Sequence, residues 1–228
     1  MRRWLIALLV IVPIAAALGW LAWFSPWLAV SQVQVNVSAA PEVAGPLTAD
    51  EVRAVAAVEP GVPLLRVPTA EIESRVAALP QVASVSVSRS WPDTVVIDIT
   101  RRVPVALVAT GSGYDVVDAA GGVIRTVSSI EAGAPVVRAT GEGLAAAIRV
   151  ASELPEPISR KVVTVEASTR NDVRLILRNG AEVMWGSAED GAFKAEVLQT
   201  LFQVDARWYD VSAPAVPATS DTPRRASN

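Results

Sequence analysis

At 228 residues, 51% of them hydrophobic and with a net charge of −3, the chain is long enough for one or two domains with substantial cores. It has no cysteine and no histidine, which removes disulfides, thiol nucleophiles, the commonest general base and the commonest zinc ligands together. Setting Arg2 and Arg3 aside from the 20 basic residues leaves 18 against 23 acidic ones, a balance that suits neither a nucleic acid nor a polybasic lipid patch.

The first element is an unbroken apolar run from Trp4 to Phe24, preceded by Arg2 and Arg3. Its roughly 21 residues match the ~20 that a helix needs to cross a hydrocarbon core. The next charged residue is Glu42 and the next basic one Arg53, so the positive-inside asymmetry holds the N-terminus in the cytoplasm. Trp4 at one edge, with Trp20, Trp23 and Trp27 at the other, stand where interfacial aromatics anchor a span. Residues 4–27 are therefore expected to form a single transmembrane helix behind a cytoplasmic stub of residues 1–3. A cleaved secretory leader is the alternative, with Ala15-Ala16-Ala17 as small residues for the cut, although an h-region runs only about 7–15 residues.

From Val33 the period becomes two: Val33, Val35 and Val37 alternate with Gln32, Gln34 and Asn36, which predicts a strand with one buried face. Pro41 to Pro46 reads as a loop. Thr48-Ala49-Asp50-Glu51 is a capping box with Leu47 placed to staple onto Val52, and the helix that follows points Val52, Val55 and Val58 inward. Pro60-Gly61 ends it, and a second helix begins near Thr69 with Ile72, Val76 and Leu79 on one face. After Pro80, two alternating runs, Ala83 to Val87 and Val95 to Ile99, flank a turn at Pro92-Asp93 and predict a hairpin. Arg89, Arg101 and Arg102 are read as a solvated face paired with Asp93 and Asp98. This order gives a compact α+β unit, a three-stranded sheet covered by two helices.

Short strands are expected at Val105–Leu107, Tyr114–Asp118, Val123–Ile124 and Pro135–Val137, then a helix at Ala145–Leu154. Strands at Val162–Val165 and Val173–Leu177 follow. The second of these enters Asn179-Gly180, a strong hairpin signal, and returns at Val183–Trp185. Ser187-Ala188-Glu189-Asp190 caps a last helix whose inward stripe is read as Phe193, Val197, Leu201 and Val204, leaving Lys194 on the polar side. Trp208 to Ser212 is a terminal strand, and residues 217–228, rich in Thr, Ser and Pro, read as a disordered tail.

Catalytic arrangements find little support. A Ser/Lys pair would have to use Lys161 or Lys194, and Ser159-Arg160-Lys161 lacks the S-x-x-K spacing. The carboxylates sit in helix first turns and beside hairpin turns, where dipole and turn chemistry account for them. Gly111-Ser112-Gly113 and Gly141-Glu142-Gly143 lack the spacing or the following Lys of a phosphate loop. No cofactor, metal, nucleic acid or small-molecule substrate is expected, and binding rather than chemistry is the expected work.

Arg89 to Pro104 reads Arg-Ser-Trp-Pro-Asp-Thr-Val-Val-Ile-Asp-Ile-Thr-Arg-Arg-Val-Pro. With Leu64-Leu65, the Leu79-Pro80-x-Val82 helix exit and the close at Pro104-Val105-Ala106, it resembles the POTRA module of the FtsQ/DivIB cell-division proteins. Thr100 departs from the acidic residue common there. The resemblance runs from Trp4 to about Val216 and implies a POTRA domain at residues 30–102 and a second, β-rich domain at 103–216. It further implies a non-enzymatic, single-pass scaffold of the divisome at the septum, linked to septal peptidoglycan synthesis and its synthase. FtsB-like and FtsL-like partners are implied, the former adding a strand at the last strand of the β domain. The matching positions are Trp208 to Val216, so Tyr209, Val211, Ala213, Ala215 and Val216 become the candidate partner-binding residues. Charged replacements at Val211 and Ala213 are then expected to weaken capture and leave the fold intact. A secreted or anchored POTRA-type chaperone module is the alternative.

Overall fold

The computed structural model describes residues 12–13, 28–130 and 133–222. The expected span at 4–27 therefore lies outside the described residues save for Val12 and Pro13, and among the described residues no helix is long and apolar enough to cross a membrane. Contacts divide the chain into two compact units.

In the first unit a three-stranded sheet runs in the order β1-β3-β2, with β1 at Gln32–Val37, β2 at Val82–Ser90 and β3 at Thr94–Arg101. The alternation of β3 buries Val95, Ile97 and Ile99 against helices α1 (Ala49–Ala56) and α2 (Thr69–Ala77). One half of the expected capping box is seen, Glu51 N donating to Thr48 Oγ1 at 3.2 Å, and Leu47 and Val52 share the core. Ile72 and Val76 are buried from α2, while Val55, Val58 and Leu79 are only partly covered. Helix α1 ends on Ala57 in the left-handed region at φ 47°, a position more often filled by glycine.

The second unit holds a nine-stranded sheet in the order β12-β11-β10-β9-β8-β7-β4-β5-β6. Its strands are β4 (Ala106–Ala109), β5 (Tyr114–Val117), β6 (Val123–Val127), β7 (Val136–Ala139), β8 (Val162–Ala167), β9 (Val173–Leu177), β10 (Glu182–Gly186), β11 (Trp208–Asp210) and β12 (Ala218–Ser220). Helices α3 (Glu142–Glu153), α4 (Glu156–Ser159) and α5 (Gly191–Leu201) pack beside it. Asn179-Gly180 turns β9 into β10, with Gly180 at φ 82°. This unit also takes Ala40–Gly45, which the sequence places as a loop of the first domain. Val43 there is buried with Leu107, Val116, Ile124, Val127 and Val136.

Three expectations are corrected. The fully buried face of α5 is Lys194, Ala195 and Leu198; of the expected stripe, Val197 and Leu201 pack partly buried against the core, whereas Phe193 and Val204 are each 51% exposed. Lys194 is buried because its aliphatic stem packs while Nζ donates to the Ser187 carbonyl at 2.9 Å and to Ser187 Oγ at 3.4 Å. Burial pulls its pKa below the usual lysine value, with the Asp190 and Glu189 charges opposing. The tail expected from residue 217 begins instead as strand β12, because the backbone of Ala218–Ser220 pairs with β11. The arginines do not form one solvated face: Arg89 Nη2 donates to the Val67 carbonyl at 2.7 Å, and Arg102 pairs with Asp118.

That last pair carries a prediction. Burial alone would raise the Asp118 pKa, but bonds from Arg102 and from the Gly122 and Ala120 amides, with the Arg102 charge, outweigh it and hold the carboxyl below its ordinary value. A depressed folded-state pKa stabilises above the unfolded value of about 3.9 and stops doing so as pH falls through the lower folded value. Asp118→Asn should therefore cost roughly 1–3 kcal/mol at neutral pH, and the gap to the parent should narrow below about pH 4. Melting curves across that window check it, and a gap independent of pH would count against the pair.

Candidate functional site

The terminal strands are built from a parallel pair. β11 lies beside β10 with Glu182 opposite Trp208 and Met184 opposite Asp210, and Val211 N extends the ladder to the Met184 carbonyl at 3.0 Å. Alternation then sends Tyr209 and Val211 into the core, where they are 4% and 0% exposed. Tyr209 is fixed twice over: its hydroxyl donates to the Val204 carbonyl at 2.9 Å and accepts from Ala206 N at 3.2 Å. Its ring meets Phe202 edge-on at 5.5 Å, and Lys161 Nζ sits 4.2 Å over the Phe202 ring. A cleft of about 370 Å³ lies there, lined by Lys161, Arg178, Phe202, Val204 and Tyr209 among others.

After Val211 the chain reverses. Asp210 Oδ1 accepts from Ser212 N at 2.9 Å and from Ser212 Oγ at 2.6 Å, and Val216 N closes a turn on the Ala213 carbonyl at 2.9 Å. Gly186 at the end of β10 makes room for this turn: it sits at φ 77°, and a Cβ there would stand 2.9 Å from Ser212 Cβ. The chain returns as β12, antiparallel to β11, with Tyr209 opposite Thr219.

The five candidate residues thus separate. Tyr209 and Val211 are core side chains with no surface to offer a partner, while Ala213, Ala215 and Val216, the last 80% exposed, crown the turn between β11 and β12. β11 is also covered on both sides, so the edge strand is β12. Sequence reasoning missed it because three residues after Pro217 are too few for alternation to show. Among the sheet edges of the described residues it is the one at which no side-chain bond to or from another element is seen. At the β6 edge, Arg125 Nε donates to the Val43 carbonyl at 2.9 Å. On the outer strands of the first sheet, Glu73 Oε1 accepts from Val87 N of β2 at 2.7 Å, and Arg53 Nε donates to the Val33 carbonyl of β1 at 3.2 Å. The bonds on β1 and β2 occupy backbone groups that strand addition would need, while the Arg125 bond uses a side chain of β6 and brings Val43 to it.

Comparison with known proteins gives two family matches, "POTRA domain, FtsQ-type" over residues 28–102 and "Cell division protein FtsQ/DivIB, C-terminal" over residues 106–214. The chain is similar to the cell division protein FtsQ of Streptomyces collinus, 36% identical over 235 residues that cover 95% of this chain and 86% of the relative. It is 39% identical to that of Streptomyces griseus over 211 residues, covering 86% of this chain and 99% of the relative. With that of Mycobacteroides abscessus the identity is 30% over 210 residues, 90% of this chain and 65% of the relative.

Proposed function

Given that this chain belongs to the FtsQ family of cell-division proteins, we propose that it serves the divisome as a non-enzymatic scaffold tethered to the cell membrane by residues 4–27. Its N-terminus is cytoplasmic and its two folded units lie outside, at the septum. It captures FtsB-like and FtsL-like membrane proteins and so connects earlier division proteins with septal peptidoglycan synthesis. Capture proceeds by addition of a partner strand to β12, with Ala213, Ala215 and Val216 offering side-chain contact and the buried Tyr209 and Val211 holding the backbone in place.

The observation that carries this reading is the open outer edge of β12 in a sheet whose far edge strand is met by Val43. Main-chain bonds would supply affinity there, and the turn would supply selectivity. Thr219→Pro removes a donor from a three-residue edge strand and should weaken capture of an FtsB-like segment about twofold to tenfold, the loss of one net hydrogen bond. Titration with purified partner measures it, alongside circular dichroism to show that the fold is kept; undiminished affinity would remove β12 from the site. In cells, a fluorescent fusion at the N-terminus should gather at midcell, and an even peripheral distribution would contradict the septal role.

A further inference from the structure

We propose that one end of the first unit is a membrane-docking surface, in which Trp91 and Leu65 enter the interface of the outer leaflet and Arg66 faces its anionic headgroups. The proposal rests on the reading of residues 4–27 as a retained span.

Its starting point is where the chain enters the fold. Ser31 N donates to the Asp93 carbonyl at 3.0 Å, and Ser31 Oγ donates to the Asp93 carboxylate. The chain coming from the apolar run is thereby fastened to the β2–β3 turn. Two further bonds, Val30 N to the Val62 carbonyl and Gly61 N to the Val30 carbonyl, both at 2.9 Å, bring in the segment before α2, and Ala29 bridges to Pro63. Arg89 Nη2 closes the set by holding the Val67 carbonyl. The entry strand, the 61–67 segment and the tip at Ser90–Asp93 therefore share one end of the sheet.

Only four peptide units separate Trp27, the last tryptophan of the expected interfacial belt, from Ser31, a reach of at most ~14 Å. The interfacial layer is itself several ångströms deep on each side. The end that carries Trp91 is thus held close to the bilayer by covalent connection. Trp91 is 56% exposed and Leu65 36% exposed at this end, although Leu64 beside it is fully buried. An indole at a hairpin tip suits the interface, where its apolar body and polar N–H are both accommodated. The acidic groups nearby are Asp93, engaged by Ser31, and Glu59 and Glu71, which share a cleft with Val62 and Val67, so a broad positive field is not the driving term. Tethering replaces it, because a linked surface docks at high effective concentration and weak insertion suffices.

The absence of native cysteine permits a single-site probe in the full-length chain. Ser90→Cys, beside an intact Trp91, would carry an environment-sensitive fluorophore in phosphatidylglycerol–phosphatidylcholine vesicles containing headgroup-region spin-labelled lipid. The expected result is blue-shifted, quenched emission at 90 and neither effect at Ser84→Cys, toward the other end of β2. Trp91→Ser together with Leu65→Ser should abolish the quenching while melting stays unchanged. Equal or absent quenching at both sites, in protein that stays in the pellet after alkaline carbonate, would overturn docking and leave the span standing. Protection of position 90 that requires added membrane proteins would overturn it in favour of a protein partner. Release by carbonate would overturn the span, and docking with it.

Discussion

Val211→Glu should unfold the second unit rather than disarm a contact. Val211 is fully buried in a cluster with Leu175, Val183, Trp185 and Leu198, and its amide continues the β10 ladder. Replacing it forfeits about 1.5–3 kcal/mol of apolar burial and leaves a carboxylate where water cannot reach it, a further cost of several kcal/mol. The sum, roughly 5 kcal/mol or more, is comparable with the whole stability of many domains. Ala213→Glu, at an exposed turn two residues away, should stay within about 0.5 kcal/mol of the parent. The sequence reading treated both as surface contacts; only the second can report on partner binding. Thermal melting followed by circular dichroism separates them, and a cooperative, unshifted melt for Val211→Glu would remove that residue from the core.

Gly186→Val should be nearly as damaging, by a different route. The backbone at φ 77° excludes a β-branched side chain, and the added Cβ would stand 2.9 Å from Ser212 Cβ and 3.3 Å from Ser212 Cα. Left-handed strain of about 1–2 kcal/mol and overpacking of about 1–3 kcal/mol give a loss of roughly 3 kcal/mol. Because Ser212 belongs to the turn that launches β12, partner affinity should fall with stability. Urea unfolding measures the first and titration the second. A variant within about 1 kcal/mol of the parent would show that the turn yields without cost.

Local chemistry was legible in the sequence where one residue decides one geometry. Thr48 and Glu51 announced a cap, Asn179-Gly180 a hairpin, and the valines of β1 and β3 a half-buried sheet, and each stands in the structure. The face of α5 was legible only in part: Val197 and Leu201 do pack against the core, but Phe193 and Val204 fit the same spacing and are exposed, while Ala195 and Leu198 are buried. The choice fell to Lys194, whose stem packs like an apolar chain once Ser187 receives its ammonium. Parallel pairings such as β10 with β11 join distant segments and leave no local mark. At the chain's end, strand β11 was legible and the burial of its side chains was not. The resemblance points to Trp208–Val216, but the strand that follows is too short to show, and nothing local marks Tyr209 and Val211 as core.

The pairing of β1 with β3 also sets a schedule for biogenesis. Asn36 and Asp98, bonded across these strands at 2.8 Å, are 62 positions apart. At ~5–20 residues per second, the first strand to leave the ribosome waits about 3–12 s for its permanent neighbour. Throughout that interval the backbone groups of Gln32–Val37 have no β3 to pair with, so the nascent polypeptide is most vulnerable to proteases and mispairing before its hairpin has been synthesised.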